Sequence, residues 1–195
     1  MSVEHGKLGI ALEQGGEADL NSALRFYSES VFYLIRNSSL QNVFVRGEVP
    51  DIFNDLRYPF KNTIFNAEPK TDDDLHPRDI FDFMTKIYSM IEYEAHIILV
   101  SLVYIKKLYE KVMIDVTREN WKRVIFITLV VALKFYDDMA IYNGDFNEII
   151  DLEDVNELER QFLEMMSFDL SIPQNLYLFY NLKALRMSDH RRQID

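Results

Sequence analysis

Apolar residues recur along this chain at helical spacing, and the residues that break helices are gathered toward its first half. From Leu20 to Ile35, the positions Leu20, Leu24, Val31, Leu34 and Ile35 alternate with Phe26, Tyr27, Phe32 and Tyr33. That spacing predicts a helix, with Asn37-Ser38-Ser39 as its stop. Residues 1–18 hold Gly6, Gly9, Gly15 and Gly16 and little apolar pattern, so a flexible tail is expected there. Between Leu40 and His76 the period is lost to Pro50, Pro59 and Pro69, with Pro77 at the border and Asp72-Asp73-Asp74 adding charge. An extended arm is expected here, anchored by Ile52, Phe53, Phe60, Ile64 and Phe65.

After Pro77 the helical period returns. Ile80, Phe81, Met84, Ile87 and Tyr88 mark a helix with Pro77 near its first turn, and Glu94 to Tyr109 marks a second. Thr117 is placed as the N-cap of a third, Arg118 to Tyr136. Its run from Val124 to Leu133 is apolar on nearly every side and far short of the roughly 20 residues that span a bilayer. Such a helix belongs at the centre of a bundle. Asp145 is expected to cap a short helix ending at Ile150, with Glu148 completing a capping box. A fifth helix starts at Asp151 or Asp154 and runs to Met166. After a break at Phe168 to Pro173, residues 174–187 form an amphipathic helix through Leu176, Phe179, Tyr180, Leu182 and Leu185. The fold class is all-α. Its parts are a tail (1–18), an N-terminal helix and arm (19–76), a five-helix unit (77–172), and a C-terminal helix and tail (173–195).

Composition narrows the function. The chain has 195 residues, 48% of them hydrophobic, with 14 Phe and 11 Tyr, which is enough to bury a substantial core. A net charge of −11 argues against nucleic acid and against an anionic membrane surface, since both reward clustered Lys and Arg. The basic residues His190, Arg191 and Arg192 sit at the chain end. With no cysteine, disulfides, thiolate zinc sites and Cys nucleophiles are excluded. The opening Met1-Ser2-Val3-Glu4-His5 lacks a signal peptide's pattern, and Ser2 stands where N-myristoylation requires glycine. An intracellular location, cytoplasmic and also nuclear, is expected.

Catalytic and metal chemistry finds little footing. Glu92 and Glu94 precede His96 by four and two residues, whereas a helical di-iron site needs Glu-x-x-His twice. The acids from Asp137 to Glu159 fit no EF-hand frame: counted from Asp145 the alternating positions meet Ile149, and counted from Asp137 they meet Met139 and Ile141. Phosphate loops, nucleophile elbows and zincin motifs are absent. No metal, no cofactor and no enzyme activity are expected.

Two charges break the pattern. Lys134 follows the long apolar run while still inside the helix, where a cation near the C-terminus also suits the helix dipole. On a wheel of the fifth helix, Val155, Leu158, Phe162, Leu163 and Met166 form one apolar arc, and Glu159 falls inside it. A carboxylate there either belongs to a polar docking surface, with Lys134 as its partner, or reaches solvent from the edge of the core.

The same residues carry a family resemblance. Leu102-Val103-Tyr104-Ile105-Lys106-Lys107-Leu108, Asn120-Trp121-Lys122-Arg123 and Ala132-Leu133-Lys134-Phe135-Tyr136-Asp137-Asp138 resemble a cyclin box. So do Asp154 to Leu163 and Phe168-Asp169-Leu170. The box is similar to the single-box cyclin Y type, which is related to the yeast phosphate-pathway cyclins. The resemblance implies an all-α cyclin box of five helices, with the N-terminal helix, arm and C-terminal helix as additions. It implies a heterodimer with a cyclin-dependent kinase of the PCTAIRE, PFTAIRE or phosphate-pathway class, activated through its αC helix. Kinase contacts are implied for Lys134 and Glu159, flanked by Phe135, Leu163, Phe168 and Leu170. Asp137 and Asp138 follow Phe135 within reach of an activation loop. The alternative is a cyclin-fold scaffold that binds proteins without activating a kinase. Two departures stand out. Lys106-Lys107 replaces the Asp-Arg of mitotic cyclins, leaving the internal ion pair made there unprovided for. The helix from Ile80 to Met90 lacks the Met-Arg-Ala-Ile-Leu patch that docks Arg-x-Leu substrates.

Overall fold

A computed structural model describes residues 16–40, 48–65, 75–136, 141–152 and 154–192. The described residues form seven α-helices and no strand. They are α1 (Leu20–Leu40), α2 (Pro77–Met90), α3 (Ala95–Lys107), α4 (Trp121–Tyr136), α5 (Asn143–Ile150), α6 (Val155–Met165) and α7 (Gln174–Arg192). Single turns of tighter helix lie at Asp51–Phe53 and Thr63–Phe65, and a π-turn at Leu108–Val112 extends α3. Residues 1–15 of the tail expected over 1–18, and 41–47 and 66–74 of the arm, lie outside the described residues, while Ala18 of that expected tail is buried and held by Asn181.

Why the bundle forms is plain from its centre. Every residue of α3 from Ile97 to Ile105 is buried, and so is every residue of α4 from Arg123 to Leu133. Two helices that are apolar all round must be enclosed by others; α1, α6 and α7 pack against them, and α2 lies on α1 and meets α4 through Phe83 and Trp121. The few polar groups inside are chained together. Tyr27 Oη lies 3.1 Å from Ser101 Oγ, which lies 2.9 Å from Thr128 Oγ1, and Thr128 donates to the Val124 carbonyl at 2.9 Å. One run of hydroxyls thus links α1, α3 and α4 with no donor left idle, as a buried network requires.

The arm is pinned rather than loose. Phe60 packs its ring 5.7 Å from Phe126, 5.9 Å from Phe83 and 5.5 Å from Phe65, and Phe83 in turn meets Trp121 at 5.2 Å. Asp55 accepts the backbone N–H groups of Lys122 at 3.3 Å and Arg123 at 3.2 Å, so the arm caps the start of α4. Ile64, expected among the anchors, is 48% exposed and is not one of them.

Element ends differ from the expected ones for local reasons. Helix α1 runs on to Leu40, past Asn37. Ser38 Oγ lies 3.0 Å from both the Leu34 carbonyl and Asp115 Oδ1, so the expected stop is used within the helix and ties it to the α3–α4 connection. Helix α4 is regular from Trp121, yet Thr117 caps its first turn as expected: Thr117 Oγ1 accepts Glu119 N–H at 3.3 Å, Asn120 Oδ1 accepts Thr117 N–H at 2.8 Å, and the Thr117 carbonyl accepts Trp121 N–H at 3.1 Å. Asp145 is not the cap of α5 but its third residue, accepting the Tyr142 N–H at 2.8 Å. The Glu148 side chain lies outside the described residues. Helix α7 extends to Arg192 and buries Tyr177, Asn181 and Ala184, while Phe179 and Leu182 face outward at 52% exposure each.

Candidate protein-docking site

Helix α4 leaves the core at its C-terminal turn, where the buried run ends at Leu133 and Lys134 follows, partly exposed. Helix α6 lies beside it, burying Val155, Leu158 and Phe162. Glu159 therefore meets the end of α4 instead of water. Lys134 Nζ lies 2.8 Å from Glu159 Oε2 and 2.9 Å from Oε1. The two side chains keep 24% and 18% of their surface, so one side of the pair stays open. An exposed ion pair adds little to stability, and a buried one must offset its desolvation. This pair lies between those limits, largely covered but open along one edge.

Sequence reasoning missed a third member. Asn143, in the first turn of α5, donates from Nδ2 to Glu159 Oε2 at 2.6 Å and to Asn156 Oδ1 at 2.7 Å. Helices α4, α5 and α6 thus converge on one carboxylate. Asn143-Gly144-Asp145 reads as a turn, and only the placement of α5 against α6 gives the Asn a target.

The apolar flank continues along α6 into the turn that follows. Leu163 and Leu170 are partly buried against the core, while Phe168 is 69% exposed. Phe135 is partly exposed, its ring 5.1 Å from that of Tyr136. The turn ends α6 as a Schellman motif: Phe168 N–H bonds the Leu163 carbonyl at 2.9 Å, and Ser167 N–H bonds that of Glu164 at 2.9 Å. Such a motif normally uses glycine. Here Ser167 and Phe168 have φ of 51° and 57°, at a cost of order 1–3 kcal/mol each.

Helix α3 holds the turn from behind. Tyr104 Oη donates to the Leu170 carbonyl at 3.0 Å, and burial pushes that phenol well above its ordinary pKa. Lys107 Nζ reaches the Ser171 carbonyl at 2.6 Å, the Asp169 carbonyl at 3.1 Å and Asp169 Oδ2 at 3.3 Å. Where Lys106-Lys107 stands in place of Asp-Arg, Lys107 thus makes an ion pair of its own with Asp169. The signal lay in the spacing: Lys107 shares the buried face of Tyr104 and Leu108. Among the site residues expected from the sequence, Lys134, Glu159, Phe135, Leu163, Phe168 and Leu170 lie at this end of the molecule, on α4, α6 and the turn after it. Asp137 and Asp138 lie outside the described residues.

His96 Nδ1 lies 3.1 Å from Glu94 and 3.9 Å from Glu17, and no group of three or more metal-ligating side chains occurs among the described residues. No helix of the described residues is long and apolar enough to cross a membrane.

A buried helix pair wrapped by further helices, with a polar and aromatic face at one end, defines an all-α module. Residues 15–170 match the family model for the cyclin domain, and the chain belongs to the cyclin family. The match takes in α1, the arm and α2 to α6, and ends before α7. Cyclins are regulatory rather than catalytic, and membership implies a protein partner, generally a kinase.

Proposed function

We propose that this chain is the activating subunit of a cyclin-dependent kinase of the PCTAIRE, PFTAIRE or phosphate-pathway class, and that it belongs to the cyclin Y branch. The observation that carries the reading is the Lys134–Glu159 pair, 2.8 Å apart and still open on one side, with Phe168 exposed in the turn that follows α6. A carboxylate and an ammonium that have satisfied each other keep hydrogen-bonding capacity for a partner's backbone and side chains. Leu163, Leu170 and Phe135 would receive apolar residues of the kinase αC helix. Asp137 and Asp138, next along the chain, are proposed to approach the activation loop. Holding αC inward lets its Glu meet the ATP-positioning Lys, which is the step that a kinase of this kind lacks by itself.

The test is turnover by a purified kinase of this class with and without the chain. A rise of at least tenfold is expected. Binding with unchanged turnover would replace an activator by a scaffold, and absence of binding to any member of the class would remove the kinase reading.

A further inference from the structure

A residue as large as Phe168 stands out in solvent on a backbone that side chains resist, and something must hold it there. We propose that Lys107 is the positioning residue of this docking turn. Its ammonium fixes Phe168 and Leu170 in the arrangement a partner receives. The docking role rests on the kinase-binding reading above; the positioning role does not.

Lys107 is 6% exposed, whereas Lys111, one helical turn on, has 68% of its side chain in solvent. A buried ammonium demands acceptors, and Lys107 has three, all from residues 169 and 171. Tyr104, one turn earlier on α3, takes the carbonyl between them. Three consecutive carbonyls are therefore held from one helix, while α6 holds Ser167 and Phe168 from the other side. Filling space would not require this. Leucine or methionine at position 107 would pack beside Tyr104 and Leu108 without an ammonium to satisfy. A charged tether to main-chain oxygens specifies where the backbone lies, which matters when the residue it carries points outward.

The experiment is a double-mutant cycle of Lys107→Met with Phe168→Ala, read by kinase affinity, together with hydrogen exchange at the amides of Ser167 to Ser171. Methionine keeps the length of the stem and leaves no unpaired charge inside, because Asp169 is itself half-exposed. Lys107→Met is expected to weaken kinase binding roughly tenfold and to add little once Phe168 is Ala. Lys107→Arg is expected to restore most of the affinity. Exchange across the turn should speed at least tenfold in Lys107→Met, with the α3 and α4 amides unchanged. Unchanged exchange in the turn, or losses that add fully in the cycle, would overturn the proposal. Faster exchange in a chain that binds no kinase would leave Lys107 as the turn's tether and remove the docking reading instead. Should Lys107→Met fail to fold, Asp169→Asn weakens the same tether from its exposed end, and the same two readouts decide.

Discussion

Asp169 faces two ways, offering its carboxylate to Lys107 and to Ser171. The Ser171 hydroxyl, donating at 2.5 Å, and then Lys107 hold its carboxyl below the ordinary value of 3.8. Because folding lowers this pKa, the stabilisation is present above about 3.8 and is lost as pH falls through the folded value. Urea unfolding of the natural chain and of Asp169→Asn, repeated from neutral pH downward, should show a gap that closes on acidification. A gap independent of pH would mean that the contacts of Asp169 owe nothing to its charge. At this scale the sequence was readable where a residue defied its neighbours: Glu159 interrupts an apolar arc, and Lys134 ends an apolar run. Asn143 defies nothing around it. Its role exists only once α5 is laid against α6, and no local pattern encodes that placement.

The elements themselves were legible in proportion to their apolar content. Helices α3 and α4 announce themselves because so little polar sequence interrupts them, and burial on every side follows directly. Helix ends were harder, since Ser38 and Thr117 make local bonds that read equally as stops, caps or in-helix contacts. The faces of α7 were misjudged because Phe179 and Leu182 are apolar yet exposed, and the buried positions include Asn181, which holds Gly16 and Ala18 at the start of the described chain. The arm hides a further element-scale device. Arg123 has no exposed surface; it donates to Asp154 Oδ2 at 2.5 Å and to the Tyr58 carbonyl at 2.7 Å, with the Tyr58 ring 5.6 Å away. It thereby joins the arm, the start of α4 and the cap position of α6, where Asp154 makes no side-chain bond to the helix itself. Removing one partner of such a pair strands the other, so Arg123→Met is expected to cost about 3–5 kcal/mol. Thermal unfolding should fall by roughly 10 °C. A loss below about 1 kcal/mol would show that the three elements are held by packing alone.

At the scale of the whole molecule, the arm clamps the beginning of α4 and the proposed docking face lies at its other end. One central helix therefore carries both the joint that completes the fold and the lysine through which the protein is proposed to act. The all-α class follows from periodicity and from the scarcity of breakers, and cyclin membership follows from motifs spread along α3, α4 and α6. The partner is not legible in the same way, because its identity is written in the partner's surface as much as in this one. The remaining question is whether Lys134 and Glu159 serve only each other or also a partner. Reversing both charges, Lys134→Glu with Glu159→Lys, keeps the intrachain pair and inverts what a partner meets. The decisive measurement is kinase affinity for the natural chain, each single reversal and the double reversal, with helical content checked by circular dichroism. Binding is expected to be lost in all three variants, with the double reversal keeping the helical content of the natural chain although Asn143 loses its acceptor at position 159. Full recovery of binding in the double reversal would contradict the account, because the pair would then be a brace within this chain and not a contact with the kinase.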